Sequence, residues 1–117
     1  MTIKPGEYEI VCYQGATLSE TLTATDTATN TPINWTGYTA KLQVRRYPDS
    51  ELILSLATGG LGITTLTNDG KVTYTATATQ TGAIVAGNYV YDLELTSGAY
   101  VIRLLNGTFT VSAQVTQ

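Results

Sequence analysis

The stretch Lys71–Thr79, KVTYTATAT, alternates without a break. Val72, Tyr74, Ala76 and Ala78 fall on one side; Thr73, Thr75, Thr77 and Thr79 fall on the other. A helix would scatter these two sets around its axis, whereas a strand points successive side chains to opposite faces and separates them. Only a strand with one buried and one wet face needs that register. The same period returns at Tyr38–Arg45, where Tyr38, Ala40, Leu42 and Val44 alternate with Thr39, Lys41, Gln43 and Arg45. It returns at Tyr89–Thr96, with Tyr89, Tyr91, Leu93 and Leu95 inward against Val90, Asp92, Glu94 and Thr96. Tyr8–Tyr13, Leu18–Ala24, Glu51–Ala57, Ile63–Leu66, Tyr100–Leu105 and Thr108–Val115 are further strand candidates.

Turn chemistry separates these runs. Tyr47-Pro48-Asp49-Ser50 reads as a turn, and Asn68-Asp69-Gly70 as a hairpin signal before Lys71. Ser97-Gly98 as a two-residue loop would set Leu93 opposite Ile102, Tyr91 opposite Leu104 and Asp92 opposite Arg103, matching apolar with apolar and charge with charge. Asn106-Gly107 reads as the turn into the last strand. No amphipathic helix is visible; Thr79–Ile84 is expected to make one short helical turn bridging two sheets. Thr25–Asn34, TDTATNTPIN, reads as a surface loop, and Gly59-Gly60-Leu61-Gly62 as a sheet-edge loop. About 7–9 short strands at intervals of roughly 8–12 residues predict a two-sheet antiparallel β-sandwich, with a closed barrel as the other architecture. At 117 residues, with no linker in the sequence, the whole span 1–117 is expected to form one domain.

Composition narrows the chemistry. Charged residues make up only 13% of the chain and threonine supplies 23 of its 117 residues, which favours strands over disorder. A net charge of −3 with six scattered basic residues argues against a nucleic-acid partner, which would need a basic stripe. Arg45-Arg46 reads as a solvated strand end. No apolar run is long enough to span a bilayer, and Met1–Glu7 is not followed by an apolar signal core, so neither membrane insertion nor Sec export is expected.

The chain has no histidine, which removes Ser-His-Asp and Cys-His arrangements and imidazole metal ligands. Cys12 is alone within Ile10–Tyr13 and reads as a small buried hydrophobe, in keeping with assembly in a reducing cytoplasm. Glu7, Glu9, Glu20, Asp92 and Glu94 are the carboxylates available for paired acid–base work, but each fits a wet strand face or end. Asp26, Asp49 and Asp69 sit singly in loops, short of a calcium ligand set. Trp35 has two readings, a plug at the end of the core or a sugar-stacking platform; its neighbours Ile33, Gly37 and Tyr38 favour the plug. No catalytic, cofactor-binding or metal site, and no cofactor, is expected.

Four segments carry a resemblance that covers nearly the whole chain from about Gln14 onward. They are Gln14-Gly15-Ala16-Thr17; Pro32–Ala40, PINWTGYTA; Thr79–Gly87 running into Tyr89–Leu95, YVYDLEL; and Arg103–Val111, RLLNGTFTV, with Val115-Thr116 at the end. In these the chain resembles short phage and prophage structural proteins of the tail, baseplate and fibre region. Its layout is similar to the immunoglobulin-like N-terminal domain of baseplate upper proteins. Gly87-Asn88-Tyr89-Val90-Tyr91 resembles the tyrosine corner of such sandwiches, with Tyr91 in the place of the second disulfide cysteine. The chain departs from true immunoglobulin domains in having no cysteine pair and no Trp inside the third strand.

The resemblance implies a virion protein, assembled in the host cytoplasm, without catalytic or cofactor residues. Its expected partners are other virion proteins (tail, baseplate, fibre or capsid subunits) and further copies of itself in a symmetric assembly. A capsid decoration protein is the alternative, and a carbohydrate-binding or adhesin module using Trp35 and loop tyrosines a more distant one.

Overall fold

The computed structural model describes residues 6–26, 28–64 and 69–115. Among these are eleven strands and one short helix: β1 Gly6–Glu7, β2 Ile10–Tyr13, β3 Leu18–Thr23, β4 Thr25–Asp26, β5 Thr31–Pro32, β6 Thr39–Arg45, β7 Leu52–Ala57, β8 Ile63–Thr64, β9 Lys71–Ala76, α1 Ala78–Gly82, β10 Gly87–Ser97 and β11 Tyr100–Ser112. In the larger sheet β1 and β2 share one edge position, followed by β11, β10, β6 and β7; the smaller sheet runs β3-β9-β8. The expected surface loop around residues 25–34 is an exposed β4–β5 hairpin from which Ile33 turns into the core.

The alternation is what builds the core between the sheets. Ala40, Leu42 and Val44, Val72, Tyr74 and Ala76, and all four of Tyr89, Tyr91, Leu93 and Leu95 are buried. They join Ile10, Cys12, Trp35, Leu56, Ile63 and Phe109 in one apolar cluster. With β3, β8 and β9 in one layer and β6, β10 and β11 in the other, the protein is an all-β sandwich of immunoglobulin-like strand order. The tyrosine corner is present: the Tyr89 hydroxyl donates to the Val85 carbonyl at 2.5 Å.

The layout departs from expectation in four places. The sandwich is not wholly antiparallel, since β1 and β2 run parallel to β11.

The second departure is the loop of the β10–β11 hairpin, which is Gly98-Ala99 rather than Ser97-Gly98, because Ser97 pairs with Tyr100. Gly98 takes φ 59°, the positive value that the first position of a tight hairpin loop demands. Leu95 therefore faces Ile102, and beyond an irregularity at Leu93/Glu94 the register becomes Leu93–Leu105, Asp92–Asn106 and Tyr91–Gly107. Next to the loop the slip is two residues, which leaves Leu95 and Ile102 on the inner face; beyond the irregularity it is three, and Asp92 still reaches Arg103 diagonally at 3.7 Å.

Third, Asn106-Gly107 is no turn: both lie inside the continuous strand β11. Fourth, the run from Lys71 ends as a strand at Ala76. Thr77 accepts a hydrogen bond from the Gln80 amide, and the Gln80 side chain accepts one from the Thr77 amide, a capping box that starts α1 and leaves Ala78 exposed. This is the short helical bridge expected near Thr79–Ile84. It is anchored to the β2–β3 turn by buried Thr81, whose hydroxyl donates to the Ala16 carbonyl and accepts from the Gly15 amide.

Tyr38, expected inward, is half-buried before β6 and meets the Trp35 ring edge-on at 5.1 Å. The expected positions at Met1–Pro5, Leu66, Asn68 and Thr116 lie outside the described residues.

Candidate functional site

Two open sheet faces are what the sandwich presents. On the smaller sheet the threonine half of the alternation points outward. Ser19 pairs with Thr75 through their hydroxyls at 2.9 Å, and Thr21 with Thr73 at 2.8 Å, while Thr23 lies opposite Lys71. Cross-strand hydroxyl pairs of this kind satisfy one another and leave a flat polar face of low charge.

The outer face of the larger sheet carries the charge, arranged by strand. β6 presents Lys41, Gln43 and Arg45; β10 presents Val90, Asp92 and Glu94. Register sets Lys41 beside Glu94, Gln43 beside Asp92, and Arg45 beside Val90. Across the next ladder Glu94 faces Arg103 and Asp92 faces Asn106. A shallow depression of about 630 Å³ lies over this region, walled by Arg45, Pro48, Asp92, Arg103 and Asn106. Arg45 is not the freely solvated side chain expected: its guanidinium donates to the Ser50 carbonyl at 2.7 Å and to Gln43 Oε1 at 3.2 Å. Arg46 lies 5.1 Å over the Tyr89 ring. Lys41 and Glu94, adjacent and opposite in sign, are in no ion pair among the described residues.

The candidate carboxylates do not converge. Asp92 and Glu94 share the outer face of β10, Glu9 is exposed, and the Glu7 side chain lies outside the described residues. Glu20, from β3, instead meets Tyr74 of β9 within the small sheet and accepts a bond from its hydroxyl at 2.6 Å. Tyr91 across the core donates to the Tyr8 carbonyl at 2.6 Å. Burial pushes the Tyr74 and Tyr91 phenols far above their ordinary value of 10, and the Glu20 carboxylate adds to both shifts.

The folded state thus holds both phenols neutral where an unfolded chain ionises them. From neutral pH upward, stability is expected to begin falling near pH 9, where an unfolded chain ionises the Cys12 thiol, and more steeply beyond about pH 10, where it ionises the phenols, because the unfolded chain then sheds protons that the folded one keeps. Denaturant midpoints measured between neutral pH and pH 11 check this. Tyr74→Phe should reduce the alkaline fall, and an identical pH profile for both proteins would refute it.

Cys12 is buried, and desolvation raises its thiol pKa, as its structural role requires. Trp35 is fully buried, which removes it as a sugar-stacking platform and leaves the plug. Asp26 accepts from the Ala28 amide, and Asp69 lies 3.9 Å from Lys71. Among the described residues no group of three or more His, Cys, Asp or Glu side chains is placed to hold a metal. Gly59, Gly60 and Gly62 all take positive φ in the turn from β7 to β8, where Leu61 is exposed. What sequence reasoning missed is the Lys41–Glu94 row. Both residues were legible as outward-facing, but nothing local says that their strands are neighbours.

No protein-family model matches the chain, and no curated protein matches it. Among solved structures it is similar to a family 123 glycoside hydrolase from Clostridium perfringens, studied for glycolipid glycan hydrolysis, at 12% sequence identity and a TM-score of 0.43. That likeness covers 96% of this chain and 24% of the hydrolase chain, so the chain spans about a quarter of the length of that protein.

Proposed function

We propose that this chain is a structural protein of a phage virion, of the tail, baseplate or fibre-attachment type, which works by protein–protein contact and without catalysis. The resemblance of its Pro32–Ala40 and Tyr89–Leu95 segments to phage structural proteins supports the assignment to a virion. The observation that carries the contact role is the pair of open outer faces. One is lined by mutually bonded hydroxyls, the other is ordered into charged rows, and the reactive side chains are buried or dispersed between them. A hydroxyl-rich face of low charge is suited to docking because few ions must be desolvated when a neighbour covers it.

The test is mass spectrometry of purified particles from a host carrying the gene, followed by cross-linking within those particles. The chain is expected in the particle, cross-linked to tail or baseplate subunits. Cross-links to the major capsid protein alone would replace the tail placement with capsid decoration. Absence from the particle would overturn the virion assignment.

A further inference from the structure

We infer that a second copy of this chain docks face to face on the outer side of the larger sheet, about a twofold axis that runs along the strands between β6 and β10. This deepens the assembly role proposed above by naming one partner, and it is tested separately from that role.

The inference starts from the charge pattern. Of two adjacent strands, one presents only basic charges outward, Lys41 and Arg45, and the other only acidic ones, Asp92 and Glu94. A twofold axis lying in the interface and parallel to the strands exchanges the two stripes. It sets the basic stripe of each copy over the acidic stripe of the other. An isologous contact demands that kind of self-complementarity.

Register makes the match specific. Lys41 and Glu94 are directly opposite in the ladder and so sit at the same height along the strands. Rotation about an axis along the strands preserves height, so Lys41 of one copy arrives over Glu94 of the other, twice by symmetry. Gln43 shares its height with Asp92 and arrives over that carboxylate, to which its amide can donate. Among the described residues Lys41 and Glu94 are in no ion pair, whereas Asp92 already has Arg103 and the Arg45 guanidinium is taken up by hydrogen bonds to Ser50 and Gln43. The pairing near the axis is the one least disturbed by sheet twist.

Other occupants fit less well. A uniformly acidic partner would be repelled by the β10 stripe and a uniformly basic one by the β6 stripe. The chain itself carries both stripes at matching spacing. About this axis the four positions β7, β6, β10 and β11 overlap, about 4.8 Å apart, and the lengths of β6 and β7 limit the overlap to about 20–25 Å along the strands, roughly 400–500 Å² of plan area, the size of a weak, concentration-dependent contact. A stable interface covers about 800 Å² on each partner.

The test uses the full chain in sedimentation equilibrium over micromolar to near-millimolar concentrations, at low and high salt. The wild type is expected to dimerise, more weakly as salt rises. Lys41→Glu and Glu94→Lys should each weaken the dimer about tenfold or more, since each sets like charges against each other across the axis. Mixed in equal amounts, the two variants should recover a dimer, because one then carries an acid at both positions 41 and 94 and the other a base at both, so opposite charges meet on each side of the axis. Thermal midpoints are read alongside. Glu94→Lys places three cations in one row with Lys41 and Arg103, so Lys41→Gln and Glu94→Gln serve if a reversal fails to fold; each should weaken the dimer less than its reversal.

A wild type that is monomeric throughout, a dimer indifferent to both reversals, or a mixture that stays monomeric overturns the inference. A monomer that is nevertheless found in particles overturns only this contact. A charge-sensitive dimer that is absent from particles overturns only the virion role.

Discussion

Trp35→Ala is expected to cost about 3–5 kcal/mol, read as a lower denaturant midpoint at unchanged slope. The indole is fully buried, packs edge-on against Tyr38, and donates through Nε1 to the Gly70 carbonyl at 3.2 Å. That carbonyl also accepts from the Ala24 amide at 2.8 Å, and the Ala24 carbonyl accepts from the Ile33 amide at 3.0 Å. The end of β3, the exit of β5 and the approach to β9 are thus tied together under one ring. Removing it opens a cavity at the point where the three segments meet and strips one bond from a shared carbonyl. Against a total stability of about 5–15 kcal/mol for a domain, this is a large fraction. An unchanged midpoint would show that the ring does not plug the core.

What the sequence discloses about this fold follows the range of each interaction. The inward sets of β6, β9 and β10 are local properties, fixed by period 2, and they hold residue for residue from Ala40 to Val44 and from Tyr89 to Leu95. Lys71–Thr79 misleads at its end because two local rules compete there. The alternation runs on through Ala78, but Thr77 and Gln80 have the spacing of a capping box, and the cap prevails. The β10–β11 loop is ambiguous for another reason: moving it by one residue slips the adjoining register by two, which buries the same faces, so burial does not choose between the placements.

The candidate contact face was half legible. Lys41, Gln43, Asp92 and Glu94 were readable as outward, but a ladder joining residue 41 to residue 94 bridges nearly half the chain and leaves no mark in either segment. Glu20, expected on a wet face, is a correction: its phase between Leu18 and Leu22 turns it inward, and the Tyr74 hydroxyl that makes this tolerable comes from another strand. An inward charge on β3, an edge of the smaller sheet, also guards that edge against pairing with stray strands.

Gly107→Ala is expected to destabilise the protein by on the order of 3 kcal/mol, the upper end of the overpacking range. Read from sequence, Asn106-Gly107 looks like a turn; in the sandwich the glycine serves close approach instead. A Cβ at this position would lie 2.5 Å from the Tyr8 carbonyl oxygen and 3.2 and 3.3 Å from Tyr8 C and N. The obstructing atoms are backbone and are held in place. The Tyr8 amide donates to the Asn106 carbonyl at 3.1 Å, and the Tyr8 carbonyl accepts from the Tyr91 hydroxyl at 2.6 Å. No rotamer change relieves such a contact, so the added methyl must lift the chain between β1 and β2 off β11, breaking those bonds. Gly59→Ala is the control. Gly59 takes φ 89° with nothing within 4 Å of the added carbon, so it carries only the backbone cost of roughly 1–2 kcal/mol for a left-handed residue. Denaturation midpoints compare the two, and hydrogen exchange at Ile10–Tyr13 should quicken in Gly107→Ala alone. Equal losses, with β2 equally protected in both, would show that close packing against Tyr8 is not what requires glycine at this position.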